Sequence, residues 1–120
     1  MNWWEEEFER LKPQIEGALF YNAGTQSLED VKARLEDGRF SLWSNKDSVL
    51  IIENIELNNK RYINIALGGG DLEQVKDLVN QVEATAKTLG FYGVMIIGRR
   101  GWGKVLPEYK EKATVFIKEI

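Results

Sequence analysis

Residues 61–97 read RYINIALGGGDLEQVKDLVNQVEATAKTLGFYGVMII, and this stretch decides the fold. Arg61 to Leu67 is rich in β-branched and aromatic side chains and predicts a strand. Gly68-Gly69-Gly70 follows it, and Asp71 is placed to cap a helix. Leu72, Val75, Leu78, Val79, Val82, Ala86 and Leu89 recur on one helical face, and Gly90 ends the run. Val94-Met95-Ile96-Ile97 is then a short, wholly apolar strand. A strand, a helix and a second apolar strand make a βαβ unit, so the two strands are expected to lie parallel.

Upstream, Val49–Leu57 is a second β-rich run, bounded by Asn58-Asn59-Lys60 and by Ser44-Asn45-Lys46-Asp47. Arg39–Trp43 alternates as a further strand. Such short connections predict an antiparallel meander. Ser27 and Asp30 have capping-box spacing ahead of Leu28, Val31 and Leu35, with Gly38 as the stop. From Glu5 to Tyr21, Phe8, Leu11, Ile15, Ala18 and Leu19 share one face, interrupted at Pro13. That pattern predicts two helical pieces meeting at a kink and ending at Asn22-Ala23-Gly24, with Trp3 and Trp4 folded back as a hydrophobic lid. Downstream, Trp102–Leu106 fits one helical turn before Pro107, and Lys112–Glu119 alternates as a last strand. The expected class is α+β, an α/β three-layer domain spanning 1–120, in the order α-α-β-β-β-α-β-α-β. Its mixed sheet is mainly antiparallel with one parallel βαβ crossover.

The chain has 120 residues with no Cys and no His. That excludes thiol nucleophiles, Ser-His triads, disulfides and ordinary zinc sites, leaving carboxylates, Lys, Tyr or water as bases. No metal is expected. A net charge of −3 gives no reason to expect nucleic acid. The apolar runs are strand-length and cannot span a bilayer, and the acidic start is unlike a signal peptide, so a cytoplasmic protein is expected. Residues 99–120 carry 6 basic and 3 acidic side chains, against 10 and 16 before them.

A ligand in an open sheet favours the carboxyl ends of parallel strands. Gly68-Gly69-Gly70 and Gly98-Arg99-Arg100-Gly101 both fall there. Glycines admit close backbone approach, and Arg99 and Arg100 offer bidentate donors, so an anion site is a candidate. A plain strand-to-helix turn and solvated arginines account for the same residues, and Asp71 would repel an anion.

The element order resembles the GCN5-related N-acetyltransferase (GNAT) superfamily without its first strand. More narrowly it resembles small GNAT-like proteins encoded by tailed phages. The narrower likeness rests on Pro13-Gln14-Ile15-Glu16-Gly17-Ala18-Leu19, Gly69-Gly70-Asp71-Leu72-Glu73, Gly98-Arg99-Arg100-Gly101-Trp102, Val105-Leu106-Pro107, Tyr109, and the ending Ala113-Thr114-Val115 to Lys118-Glu119. The resemblance implies acetyl-CoA as a cofactor, with the pantetheine arm along Ile63 to Leu67. Ile65, Ala66, Leu67, Gly68, Gly69, Gly70, Arg99 and Arg100 are then the cofactor-binding candidates. The family's pyrophosphate pattern, with its glycines on Gly68 and Gly70, puts Ile65 where Arg or Gln belongs. Tyr109 corresponds to the family's acid, with Tyr92 read as packing, and Glu53 or Glu56 to a base acting through water. The first functional expectation is a degenerate phage protein, structural, virion-internal or host-interacting, in the host cytoplasm or the virion. The alternative is acetyl-CoA-dependent N-acetylation of an amine, and a nucleotide between the glycines and arginines is a third.

Overall fold

The computed structural model describes residues 3–20, 26–96, 102–110 and 118. Its elements are α1 (Trp3–Arg10), α2 (Lys12–Phe20), α3 (Leu28–Glu36), β1 (Phe40–Ser44), β2 (Ser48–Leu57), β3 (Lys60–Gly70), α4 (Leu72–Thr88), β4 (Gly93–Ile96) and α5 (Trp102–Val105). The expected final strand, the expected helix end at Asn22-Ala23-Gly24 and the Gly98–Gly101 segment lie outside the described residues.

The kink expected near Pro13 is a full break at Leu11, so three helices precede the meander. Pro13 sits in the first turn of α2, where its missing amide leaves no helical bond unmade. Leu11 bridges the pieces: its amide donates to Glu7 O at 2.9 Å and its carbonyl accepts from Ile15 N at 3.0 Å. Trp3 and Trp4 do not fold back as a lid but form the first turn of α1. Trp4 packs edge-on against Phe8, centroids 6.4 Å apart, while Trp3 is 62% exposed.

The capping box of α3 is formed. Ser27 Oγ accepts from Asp30 N at 3.1 Å and Asp30 Oδ2 accepts from Ser27 N at 3.0 Å. Gly38 follows at φ +83°, the left-handed position that ends the helix. Asn58 and Asn59 both take positive φ between β2 and β3, as a tight two-residue hairpin turn requires.

The described sheet has the order β1-β2-β3-β4, antiparallel except for the parallel β3–β4 pair. Its two faces bury separate cores. Phe8, Leu11, Ile15, Val31, Leu35, Phe40, Leu42, Val49, Ile51 and Leu67 form one, beneath α1 to α3. Leu50, Ile52, Ile63 and Ile65 meet Val75, Leu78, Val79, Val82 and Ala86 of α4 to form the other. The expected three-layer α+β architecture is therefore present. Both faces are covered over Val49–Ile52 of β2 and Ile63–Leu67 of β3, and those stretches are apolar apart from Asn64. β4 is only half-buried throughout, since it stands at the edge of the described sheet.

Candidate functional site

β3 and β4 pair from Tyr62↔Gly93 to Ile65↔Ile96. Past Ile65, β3 continues to Gly70 against β2 alone among the described residues. A register shift falls at this point: Ile52 pairs with Ile65 and Ile51 with Leu67, leaving Ala66 as the extra residue of a β-bulge. Ile65 faces the α4 core, whereas Ala66 and Leu67 both face the α1–α3 core. Asp71 N donates to Asp47 O at 3.3 Å, extending the β2–β3 ladder beyond Gly70. Antiparallel bonds alternate, so Gly69 and Leu67 bond towards β2 while Gly68 turns its amide and carbonyl towards the β4 side.

The three glycines are not the loop that the sequence suggested. Gly68, Gly69 and Gly70 are strand residues paired with Leu50, Val49 and Ser48. For Gly69 and Gly70 the cause is close packing. A Cβ at Gly69 would collide with the carbonyl oxygen of Gln14 on α2 and lie 3.1 Å from its carbon. At Gly70, φ is +110° and a Cβ would meet Asp47 O and lie 2.7 Å from Ser48 Cα.

The N-terminus of α4 is closed by protein groups. Asp71 is the N-cap, its Oδ1 accepting from Gln74 N at 3.1 Å. Gln74 is stitched to the β1–β2 turn: its Oε1 accepts from Asp47 N at 2.7 Å and its carbonyl from Asn45 Nδ2 at 3.0 Å. Gln74 Nε2 reaches Asp47 Oδ2 at 3.4 Å. Two carboxyl groups, Asp47 and Asp71, thus crowd the helix end where a phosphate would seek amides and positive potential. Arg99 and Arg100, the candidate cations for that place, lie outside the described residues.

Tyr109 and Glu53 are not brought together. Tyr109 packs on the α4 core and its hydroxyl donates to Glu83 Oε2 at 2.6 Å. Burial, then that bond and the Glu83 charge, push its phenol well above the usual range. Glu53 lies on the opposite face, in a cross-sheet row with Phe40 and Asn64. Glu56, the other base candidate, is exposed near the β2–β3 turn, opposite Arg61. Tyr92 is 63% exposed and stacks edge-on against Tyr62, centroids 5.4 Å apart.

Asn64 is a buried polar residue that sequence reasoning passed over. It is 3% exposed, its Nδ2 donates to Glu53 Oε1 at 2.9 Å, and its buried Oδ1 has no hydrogen-bond partner among the described residues. Ile63 and Ile65 face the α4 core, so Asn64 between them points to the opposite face, which α1 to α3 cover. A groove of about 430 Å³, lined in part by Trp3, Trp4, Phe40 and Trp43, lies along the far edge at β1. Among the described residues no group of acidic side chains is disposed to hold a metal ion. No described helix is long and apolar enough to cross a membrane.

No family model and no curated protein matches the chain. Among solved structures it is similar to a GNAT family acetyltransferase of Staphylococcus aureus subsp. aureus USA300_TCH1516. That match has a TM-score of 0.65 and 18% identity, covering 100% of this chain and 95% of the other. It is also similar to wild-type TTHA1254 from Thermus thermophilus, with a TM-score of 0.55 and 16% identity, covering 93% and 91% of the two chains. At these identities the likeness is one of architecture, and the chain has a GNAT-like fold.

Proposed function

We propose that this chain is a GNAT-like scaffold that no longer uses acetyl-CoA in the manner of the fold's transferases. Its role is that of a structural or host-interacting protein of the tailed-phage type. The observation that carries this reading is the closed N-terminus of α4, where Asp71, Asp47 and Gln74 occupy the helix end. Phosphate binding there would set two carboxyl groups against a dianionic ligand and require the Asp71 cap to be given up. Gly69 is committed to the β2–β3 ladder and to the crossing of α2, and Gly70 to its close approach to Asp47 and Ser48. Tyr109 is held by Glu83, across the sheet from Glu53. The phage assignment is supported by the sequence blocks around Pro13–Leu19 and Gly98–Trp102.

A second reading, amine N-acetylation, is favoured by the bulge at Ala66 and the outward backbone of Gly68. These would suit the amides of a pantetheine arm, and the proximity of a bound thioester and amine would then supply most of the rate. In that case Ala66 and Gly68 would hold the arm and Glu53 would take the amine's proton through water.

Calorimetric titration with acetyl-CoA separates the two. No heat of binding at millimolar ligand is expected. Saturable binding that weakens when Arg99 and Arg100 are replaced with Ala would instead establish the transferase reading. Mass spectrometry of purified virions tests the phage role, which fails if the chain is missing from particles and captures no host protein.

A further inference from the structure

β1 stands at one edge of the described sheet, with β4 at the other. Asn45 N donates to Ser48 O at 3.1 Å, so Asn45 bonds towards β2. Antiparallel bonds alternate, and with Trp43 opposite Leu50 and Ser41 opposite Ile52 these two residues also bond towards β2. Phe40, Leu42 and Ser44 therefore turn their amides and carbonyls outward, and no described residue bonds them on that side. Native edge strands are guarded by charge, proline or a bulge, and Phe40-Ser41-Leu42-Trp43-Ser44 has none of these. Beside the edge runs the groove of about 430 Å³, lined by Trp3, Trp4, Leu35 and the residues of β1, none of them charged. Trp3 is 62% exposed there, a large apolar surface of the kind that association removes from water.

We propose that β1 pairs with β1 of a second copy of this chain, antiparallel about a two-fold axis at Leu42, joining two sheets into one. The strand is complementary to its own reverse. With Leu42 opposite Leu42, Phe40 falls opposite Ser44 and Trp43 opposite Ser41, so each aromatic ring meets a small side chain. In this register Phe40, Leu42 and Ser44 form the hydrogen-bonded pairs, and every outward main-chain group of the strand finds a partner. A two-fold axis normal to the sheet also keeps like faces together. Phe40 and Leu42 stay on the side of the α1–α3 core, and Trp43 on that of the α4 core, in both copies. No like charges meet, because the strand carries none and Arg39 before it falls opposite the uncharged Asn45. The uncharged groove gives a charged foreign strand nothing to hold, which favours the chain's own strand as occupant. The pairing lies at the edge away from β4 and does not depend on acyl-CoA being bound.

The test is sedimentation equilibrium of the full chain, where a reversible dimer is expected at micromolar concentration. Ser41→Lys, at an exposed position, puts a charge on the edge opposite Trp43 of the second copy and should weaken dimerisation at least tenfold. Asn54→Lys, exposed on β2 and away from that edge, should leave it unchanged. Circular dichroism shows that both variants keep the parent fold. The register is read separately by cross-linking, since the chain has no Cys of its own. Positions 41 and 43 of opposite copies form a non-hydrogen-bonded pair, about 4.5 Å apart at Cα and within reach of a disulfide. A mixture of Ser41→Cys and Trp43→Cys chains should therefore oxidise to a linked dimer far more readily than either variant alone. A monomeric parent chain overturns the proposal and leaves the edge to a strand of another protein. A dimer indifferent to Ser41→Lys, or a mixture that cross-links no better than its components, overturns it too.

Discussion

The carbonyl of Gln14, on α2, lies directly against Gly69 of β3, with Ala18 Cβ 3.5 Å from where a Gly69 Cβ would stand. This crossing joins the helical layer to the strand that ends at α4. Gly69→Ala must push helix backbone away, because the obstacle is a carbonyl and not a flexible side chain. A loss of about 1–3 kcal/mol is expected by denaturant titration. Gly17 is the matched control: it is exposed on α2 with nothing within 4 Å of its would-be Cβ. Gly17→Ala should stabilise by about 0.5–1 kcal/mol. Equal effects of the two changes would mean that α2 does not cross the sheet at Gly69.

Glu7 ties α1 to the β1–β2 hairpin. Arg10 Nε donates to Glu7 Oε2 at 2.7 Å and Ser44 Oγ to Glu7 Oε1 at 2.8 Å, while Arg10 Nη2 also reaches Asn45 O at 2.7 Å. The Arg10 bond first, then that from Ser44, holds the Glu7 carboxyl at about 2 in place of the usual 4.5. The native state thus binds this proton less readily than the unfolded chain. The stabilisation is complete above pH 4.5 and is lost as pH falls from there towards 2. Solvent screens this partly exposed group, so the effect is about 1 kcal/mol. Glu7→Gln should flatten the acid limb of stability between those pH values and leave its shape above pH 6 unchanged, as followed by urea midpoints.

Tyr109 predicts the opposite limb. Its phenol is raised above the usual 10.0 by burial and by Glu83, so the unfolded chain loses this proton first. Stability should decline as pH rises past 10, and Tyr109→Phe should lessen that decline. At neutral pH the same change should cost about 0.5–1.5 kcal/mol through the lost bond to Glu83. Absorbance titration of tyrosinate should show one tyrosine that ionises only on unfolding, missing from the Tyr109→Phe protein.

Local chemistry made most of this architecture legible. The Ser27–Asp30 box, the Gly38 and Gly90 stops and the apolar face of α4 each act within a few residues, and each is present. The triple glycine misled because its cause is distant. A tight turn and a strand crossed by a helix both demand residues without Cβ, and only the position of Gln14 tells them apart. Tyr109 was visible as a candidate, but Glu83, 26 residues away in sequence, claims its hydroxyl. Asn64 was passed over because Ile63-Asn64-Ile65 reads as a half-exposed strand until the helices on both faces are known to cover it.

The bulge at Ala66 gives a register prediction that a simple deletion tests. Ala66 and Leu67 both face the α1–α3 core, so removing Ala66 leaves Leu67 next to Ile65, still opposite Ile51 and on the same face. The β2 partners of Leu67 to Gly70 should persist in hydrogen exchange, with stability within about 1 kcal/mol of the parent. Removing Leu67 instead also straightens the strand, but it sets Ala66 against Ile51 where a buried leucine stood. That deletion should cost about 2–5 kcal/mol through the cavity it leaves. The two deletions shorten the chain equally, so the difference between them isolates the side chain that the bulge aims into the core. Equal losses would show that Ala66 is itself a ladder residue, and that the shift between Ile51 and Ile52 has another origin.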